Sequence, residues 1–259
     1  MSEYYKSQRT RNLFNPGSDE PYRISRSGID LFLQCPRCFI LDKRLGTGRV
    51  PMMPFNLNSA VDELLKREFD IHRAAGTAHR LMLEHGIDAV PFQHELMDEW
   101  REARTAGARF LHAPTNLLVT GGIDDIWINY RKKLHIVDYK ATSKDTEVSL
   151  DAPWQIGYKR QVEVYQWLFR RNGFDVDPIA YFVYCNGRKN APVFDFKLEF
   201  DVKVLPYTGD DAWVEPTLAD IRACLESEGI PKAADSCDWC AYRTAAARHE
   251  AHGTSPPYR

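Results

Sequence analysis

LLVTGGIDDIWINYRKKLHIVDYKAT, residues 117–142, is the stretch on which the reading of the whole chain turns. Two runs rich in β-branched and aromatic residues, 117–129 and 134–141, flank a polar turn at 130–133, the pattern of an antiparallel hairpin. In the second run His135, Val137 and Tyr139 face one way, while Leu134, Ile136, Asp138 and Lys140 face the other. Asp138 and Lys140 therefore share a face. The first run brings Asp124 close behind Gly121 and Gly122, whose missing side chains leave room for something to approach the backbone. Two carboxylates on neighbouring strands, with a lysine two residues past one of them, suit a hard divalent cation and an anionic substrate.

The Asp-x-Lys triplet alone is a weak signal, because the chain holds three of them. Asp195 with Lys197 and Asp201 with Lys203 repeat the spacing, yet neither follows a glycine-led strand carrying its own aspartate. Context singles out Asp138.

Composition bounds the alternatives. A chain of 259 residues holds one large domain or two small ones and can bury a sizeable core. Its 44% hydrophobic and 27% charged residues are those of an ordinary soluble protein. No apolar run approaches the roughly 18 residues needed to span a bilayer, and MSEYYKSQRTRN lacks the apolar core of a signal peptide. The expected compartment is the cytoplasm, with no membrane partner. The formal net charge of −2 is not the basic coat of a general nucleic-acid binder. Local clusters at Arg131-Lys132-Lys133, Lys159-Arg160 and Arg170-Arg171 can touch phosphates, or can be solvated surface.

Along the chain, 1–22 reads as a polar tail and 248–259 as a second one, leaving 23–247 as the folded domain. Ser25 or Ser27 caps a helix that runs through Gln34 into Cys35-Pro36-Arg37-Cys38. A helix from Asn58 or Ser59 carries Val61, Leu64, Leu65 and Phe69 as its apolar stripe, with Asp62 off the stripe. Further helices are expected near 91–104, 154–171 and 210–226, with strands at 178–187 and 193–204. Gln161 and Tyr165, four apart on the 154–171 helix, lie on one face, where an amide and a phenol can bind a phosphate or position the metal-site loop.

The order Gly121-x-Ile123-Asp124, Ile136-Val137-Asp138-Tyr139-Lys140, Gln161-x-x-x-Tyr165 resembles the RecB-like branch of the PD-(D/E)XK nucleases, over about Ile24 to Tyr242. The resemblance implies a restriction-endonuclease-like α/β core: a mixed central β-sheet flanked by helices. It implies a DNA nuclease, an exonuclease by expectation, that uses Mg²⁺ or Mn²⁺. Asp124, Asp138 and the carbonyl of Tyr139 would be ligands, with Lys140, Gln161 and Tyr165 in the catalytic constellation. Such nucleases commonly place a histidine on the early helix; here the matching position holds Asp62, which can still ligate a hard ion. His72 and His79 fall a few turns later.

Of six cysteines, Cys185 and Cys224 read as small core residues. Cys35-x-x-Cys38 and Cys237-x-x-Cys240 have metal-ligand spacing, and together make a Cys₄ set that fastens the two ends of the chain. Several RecB-like nucleases hold a 4Fe–4S cluster with one cysteine before the core and three after. The two-plus-two arrangement here departs from that; Cys₄ serves an iron–sulfur cluster or Zn²⁺ alike, and the resemblance makes a 4Fe–4S cluster the expected cofactor, with Zn²⁺, which the pair spacing favours, as the alternative. The competing functional readings are a non-catalytic DNA- or protein-binding subunit of the same fold and a nuclease of CRISPR adaptation. A helicase or another repair or defence protein is the expected partner.

Overall fold

The structure is a computed structural model, and it describes residues 8–51 and 55–252. Strand β1 (Tyr22–Ser25) leads into helices α1 (Arg26–Gln34), α2 (Pro36–Lys43) and the long α3 (Asn56–Ala75), then α4 (Arg80–Glu84), β2 (Ala89–Pro91) and α5 (Met97–Arg101). Strands β3 (Ala108–His112), β4 (Leu117–Gly121), β5 (Asp125–Asn129) and β6 (Leu134–Thr142) follow, and α6 (Ile156–Arg171) connects β6 to β7 (Ile179–Gly187). β8 (Phe200–Thr208), α7 (Val214–Glu226) and α8 (Asp238–His252) complete the order. These elements form two compact units. The first draws its described residues from Met1–Met52, Ala113–Leu117 and Pro216–Arg259, the second from Met53–His112 and Leu118–Glu215.

In the first unit, the Ser25 side chain accepts from Gly28 N–H and starts α1. The expected continuation of this helix through Cys35 fails for a steric reason. Cys35 precedes Pro36, whose ring forces it into an extended conformation (φ −165°, ψ 103°), and Pro36 then opens α2 as a separate helix. Residues 8–21, expected to belong to a tail, are instead tied to α2. Arg9 N–H reaches Gly46 C=O, Phe14 N–H reaches Lys43 C=O, and the Phe14 ring is buried edge-on to Tyr22. At the other end α8 runs to His252, through Ala245-Ala246-Ala247, past the point where fraying was expected; a run of alanine favours helix. Residues 1–7 and 253–259 of the expected tails lie outside the described residues.

The second unit is built on a five-stranded mixed sheet, ordered β2-β5-β6-β7-β8. β5 is antiparallel to β2 and β6, β6 is parallel to β7, and β7 is antiparallel to β8. The parallel pair requires a crossover, and α6 supplies it. Val137 and Tyr139 of β6 join Trp127, Val183, Cys185 and Val204 in a core with Leu65 and Phe69 of α3, the apolar stripe read from sequence. Leu64, placed on that stripe, is exposed.

Three expected elements change here. The run 117–129 is two strands, β4 and β5, interrupted at Gly122–Asp124. The helix expected over 91–104 shrinks to α5, because Pro91 closes the edge strand β2, where a missing N–H costs the sheet nothing. The last strand lies at Phe200–Thr208 rather than 193–204: Asp195 and Phe196 take left-handed φ values of 42° and 55°, which no strand accommodates. Among the described residues no helix is long and apolar enough to cross a membrane.

Candidate active site

The break between β4 and β5 sets the site up. Asp125 pairs with Val137, so one further step of the register sets Asp124 opposite Asp138. The Asp124 carboxylate accepts Tyr139 N–H at 2.8 Å, which holds it against β6 next to Asp138. Asp138 is 1% exposed, and its Oδ2 takes the ammonium of Lys140. Lys140 Nζ also lies 3.5 Å from Gln161 Oε1 and 4.5 Å from the centre of the Tyr158 ring, both on α6. Burial works against the charged lysine, but Asp138 and Asp124 outweigh it and raise its pKa.

Helix α3 contributes Asp62. Lys66, one turn on, places Nζ 2.7 Å from Asp62 Oδ2 and 3.6 Å from Asp124 Oδ1, so it bridges the helix to the hairpin. Burial and the nearby Asp124 raise the Asp62 carboxyl pKa, against the pull of Lys66 and Lys140. The structure thus brings Asp62, Asp124, Asp138, Lys140 and Gln161 to one place.

Tyr165 plays a different part. It is 3% exposed and accepts a hydrogen bond from Gln161 Nε2 at 3.4 Å. A Cβ on Gly121 would stand 2.5 Å from its ring, and one on Gly122 would strike the backbone of Ala103. What approaches the glycine pair is therefore the protein itself, Tyr165 on one side and the Ala103 segment on the other.

Behind the site lies a charged network that the sequence reading missed. Asp125 is fully buried and accepts from Arg73, from Arg101 at 3.3 Å and from Tyr139 OH at 2.8 Å. Arg101 also donates to the backbone carbonyl of Asp124 and binds Asp70 at 2.9 Å. Burial and the Asp125 charge raise the Tyr139 pKa well above its usual value, so the phenol keeps the proton it donates. The alternation rule that put Asp138 and Lys140 on one face also turns Asp125 away from Asp124, and could have flagged it. Lys66 was readable too, as the i+4 partner of Asp62.

Other sequence candidates settle elsewhere. His79 caps α4 and bonds Glu68 at 2.8 Å. Lys197 pairs with Asp195, Asp201 with Arg188, and Lys203 with Glu147, so the two rival triplets are surface ion pairs. Arg170 and Arg171 are taken up by Asp211 and Glu215.

In the first unit the sulfurs of Cys35, Cys38, Cys237 and Cys240 all lie within 4.8 Å of one another, and all four residues are buried. Cys38 Sγ is 3.6 Å from both Cys237 and Cys240, and Cys35 Sγ is 3.9 Å from Cys240, far beyond a disulfide bond. Burial raises the Cys35 thiol, but backbone N–H groups of Ala234 and Cys38 and the neighbouring thiols bring it down to about 6. Arg49 Nη2 donates to Cys237 Sγ at 3.6 Å. Four buried sulfurs facing one point are a ligand set. Among the described residues it is the one cluster whose donors already stand at ligand spacing. The carboxylates of Asp62, Asp124 and Asp138 have the oxygen chemistry that suits Mg²⁺ or Mn²⁺, but Lys66 and Lys140 stand among them.

Residues 23–245 match the PD-(D/E)XK nuclease superfamily. The chain belongs to that superfamily. A solved structure titled "Crystal structure of SSO0001" is similar at 15% identity, over 83% of this chain and 81% of that one, with a TM-score of 0.36. No curated protein matches in sequence. PD-(D/E)XK proteins are typically phosphodiesterases, and membership implies a nucleic-acid substrate and a divalent metal. All four cysteines of the buried Cys₄ set fall within the matched residues.

Proposed function

We propose that this PD-(D/E)XK protein hydrolyses phosphodiester bonds in DNA with Mg²⁺ or Mn²⁺. The observation that carries the reading is convergence. Asp62 from α3, Asp124 ahead of β5, Asp138 and Lys140 from β6 and Gln161 from α6 meet although they are scattered along the chain. Asp62, Asp124, Asp138 and the carbonyl of Tyr139 would hold the ion. Bound there, it would acidify a water and offset charge on the scissile phosphate.

The chain's own groups do the rest. Lys140, braced by Asp138 and Gln161, aims a positive charge at the reacting phosphate, and preorganised charge in a buried site lowers the barrier without reorganisation. Gln161 sets the height of that ammonium, and Tyr165 sets Gln161 by packing into the space left by Gly121. Asp62 takes the place that the histidine fills in the nucleases the sequence resembles.

The Cys₄ set reads as the seat of a single tetrahedral ion, zinc first. Thiolates about 2.3 Å from one such ion stand about 3.8 Å apart, close to the spacing here. A cubane cluster, with irons and sulfides between its thiolates, needs a wider cage.

The test is cleavage of linear and circular DNA, single- and double-stranded, with Mg²⁺ or Mn²⁺, by the wild type and by Asp138→Ala. Metal-dependent cleavage that vanishes in the variant is expected, and the circular substrates show whether an end is required. Cleavage that survives Asp138→Ala, or none by folded wild type on any substrate, overturns the proposal.

A further inference from the structure

The two lysines of the site are held in different ways. Lys140 is braced from two elements: Asp138 takes its ammonium within β6, while Gln161 Oε1 at 3.5 Å and the Tyr158 ring at 4.5 Å approach it from α6. Lys66 rests on the carboxylates themselves, with Nζ 2.7 Å from Asp62 Oδ2 and 3.6 Å from Asp124 Oδ1. Its side chain is 22% exposed, so part of a long, flexible stem already faces solvent. Counting charges shows that this arrangement belongs to the ion-free protein. Asp62, Asp124 and Asp138 set against Lys66 and Lys140 leave one excess negative charge. Arg73 and Arg101 behind the site are balanced by Asp70 and Asp125 and do not change that balance. A divalent cation would turn the excess positive, with two ammoniums packed against it, and like charges a few ångströms apart repel strongly where little water intervenes. A phosphodiester, which carries a single negative charge, restores neutrality.

We propose that Lys66 is an exchangeable counter-ion, which passes from Asp62 and Asp124 to a substrate phosphate when the divalent ion enters, so that ion and phosphate bind cooperatively. This rests on the phosphodiesterase reading and adds a control to it. Without DNA, Lys66 shields the carboxylates and keeps their affinity for the ion low. With DNA, the same ammonium becomes a second positive charge on the phosphate, beside Lys140. Lys140 does not make the move, because Gln161 and Tyr158 hold it where it is. The exchange also accounts for Asp62. A neutral histidine at that position would bring no charge, whereas the carboxylate adds one, and Lys66, one helical turn on, offsets it. Coupling of this kind is reciprocal: the factor by which DNA raises the affinity for the ion is the factor by which the ion raises the affinity for DNA.

The experiment measures binding of a cleavage-resistant phosphorothioate oligonucleotide, single-stranded and duplex, to the full chain by anisotropy with and without Mn²⁺, and binding of Mn²⁺ alone by calorimetry. Wild type should bind the oligonucleotide more tightly in Mn²⁺. Lys66→Met should bind Mn²⁺ alone about tenfold tighter than wild type, because the competing ammonium is gone. Its oligonucleotide affinity should be within about twofold of wild type without Mn²⁺ but about tenfold lower in Mn²⁺, as the linkage requires. Lys66→Arg, which keeps the charge, should retain the coupling. A Lys66→Met penalty on oligonucleotide binding that is the same with and without Mn²⁺ would mark Lys66 as a fixed surface charge and overturn the exchange, while leaving metal-dependent cleavage in place. Wild type whose oligonucleotide affinity does not respond to Mn²⁺ overturns it too, with no variant needed. Wild type that binds neither Mn²⁺ nor oligonucleotide, and cleaves no DNA, overturns the phosphodiesterase reading as well.

Discussion

Two adjacent aspartates should respond in opposite ways to the same substitution. Asp125 is fully buried, and Arg73 and Arg101, the arginines it neutralises, have side chains only 8% and 11% exposed. Asp125→Asn keeps the shape, removes the charge, and turns an N–H toward either a guanidinium or the Tyr139 hydroxyl, both already donors. Breaking a buried pair from one side costs about 3–5 kcal/mol, because the remaining charge is left uncompensated. At about 2–4 °C of melting temperature per kcal/mol for a chain of this size, the loss is about 6–20 °C. Asp124 is 22% exposed, with Asp62 near it, so Asp124→Asn relieves repulsion as well as losing Lys66, and its stability should stay within about 1 kcal/mol of wild type. Its cleavage rate should nonetheless fall about 100-fold or more. Thermal and urea unfolding of the two variants, beside their Mn²⁺-dependent cleavage, checks the contrast. An Asp125→Asn protein as stable as wild type, or an Asp124→Asn protein as destabilised as Asp125→Asn, refutes this division of roles.

Lys66 occupies the gap between Asp62 and Asp124 that an ion would enter, so Lys66→Met should bind Mn²⁺ about tenfold tighter in calorimetry; unchanged or weaker binding counts against Lys66 as a resident counter-charge. Protein purified without oxygen should carry one zinc per chain and no absorbance near about 400 nm, and Cys237→Ser should lose the zinc; a brown preparation with four irons would point to the cluster instead. Asp70 is partly buried, which raises its carboxyl pKa, but hydrogen bonds from Arg101 and Arg73 win and depress it below 3.8. Asp70→Asn should therefore cost a little stability above that pH, and the two unfolding curves should converge as the pH falls through and below it; a gap that persists in acid would show that the charge is not the cause.

The hairpin and its Asp138 and Lys140 face were legible because strand alternation and turn chemistry are local properties, set by neighbours within a few residues. The Cys₄ set was legible because each half is a two-thiolate motif in itself. Element ends went wrong where a distant partner or a backbone constraint intervened. Pro36 split one helix, the pairing of β7 with β8 moved the last strand, and packing of Ala103 and Tyr165 against Gly121–Gly122 cut the first run of the hairpin in two.

Asp62 shows the division most clearly. Spacing placed it off the apolar stripe of its helix and one turn from Lys66, but only the packing of α3 on the sheet carries its carboxylate to Asp124 and Lys140. That placement also weakens the main motive for a non-catalytic reading, the missing histidine. The Asp125 network belongs to the same class. It depends on which side chains from separate elements share a buried volume, and a linear pattern does not encode such distances. Short-range chemistry named the strand and its carboxylates; long-range packing decided which charges face one another, because the energy of a charge is set by the groups within a few ångströms in space.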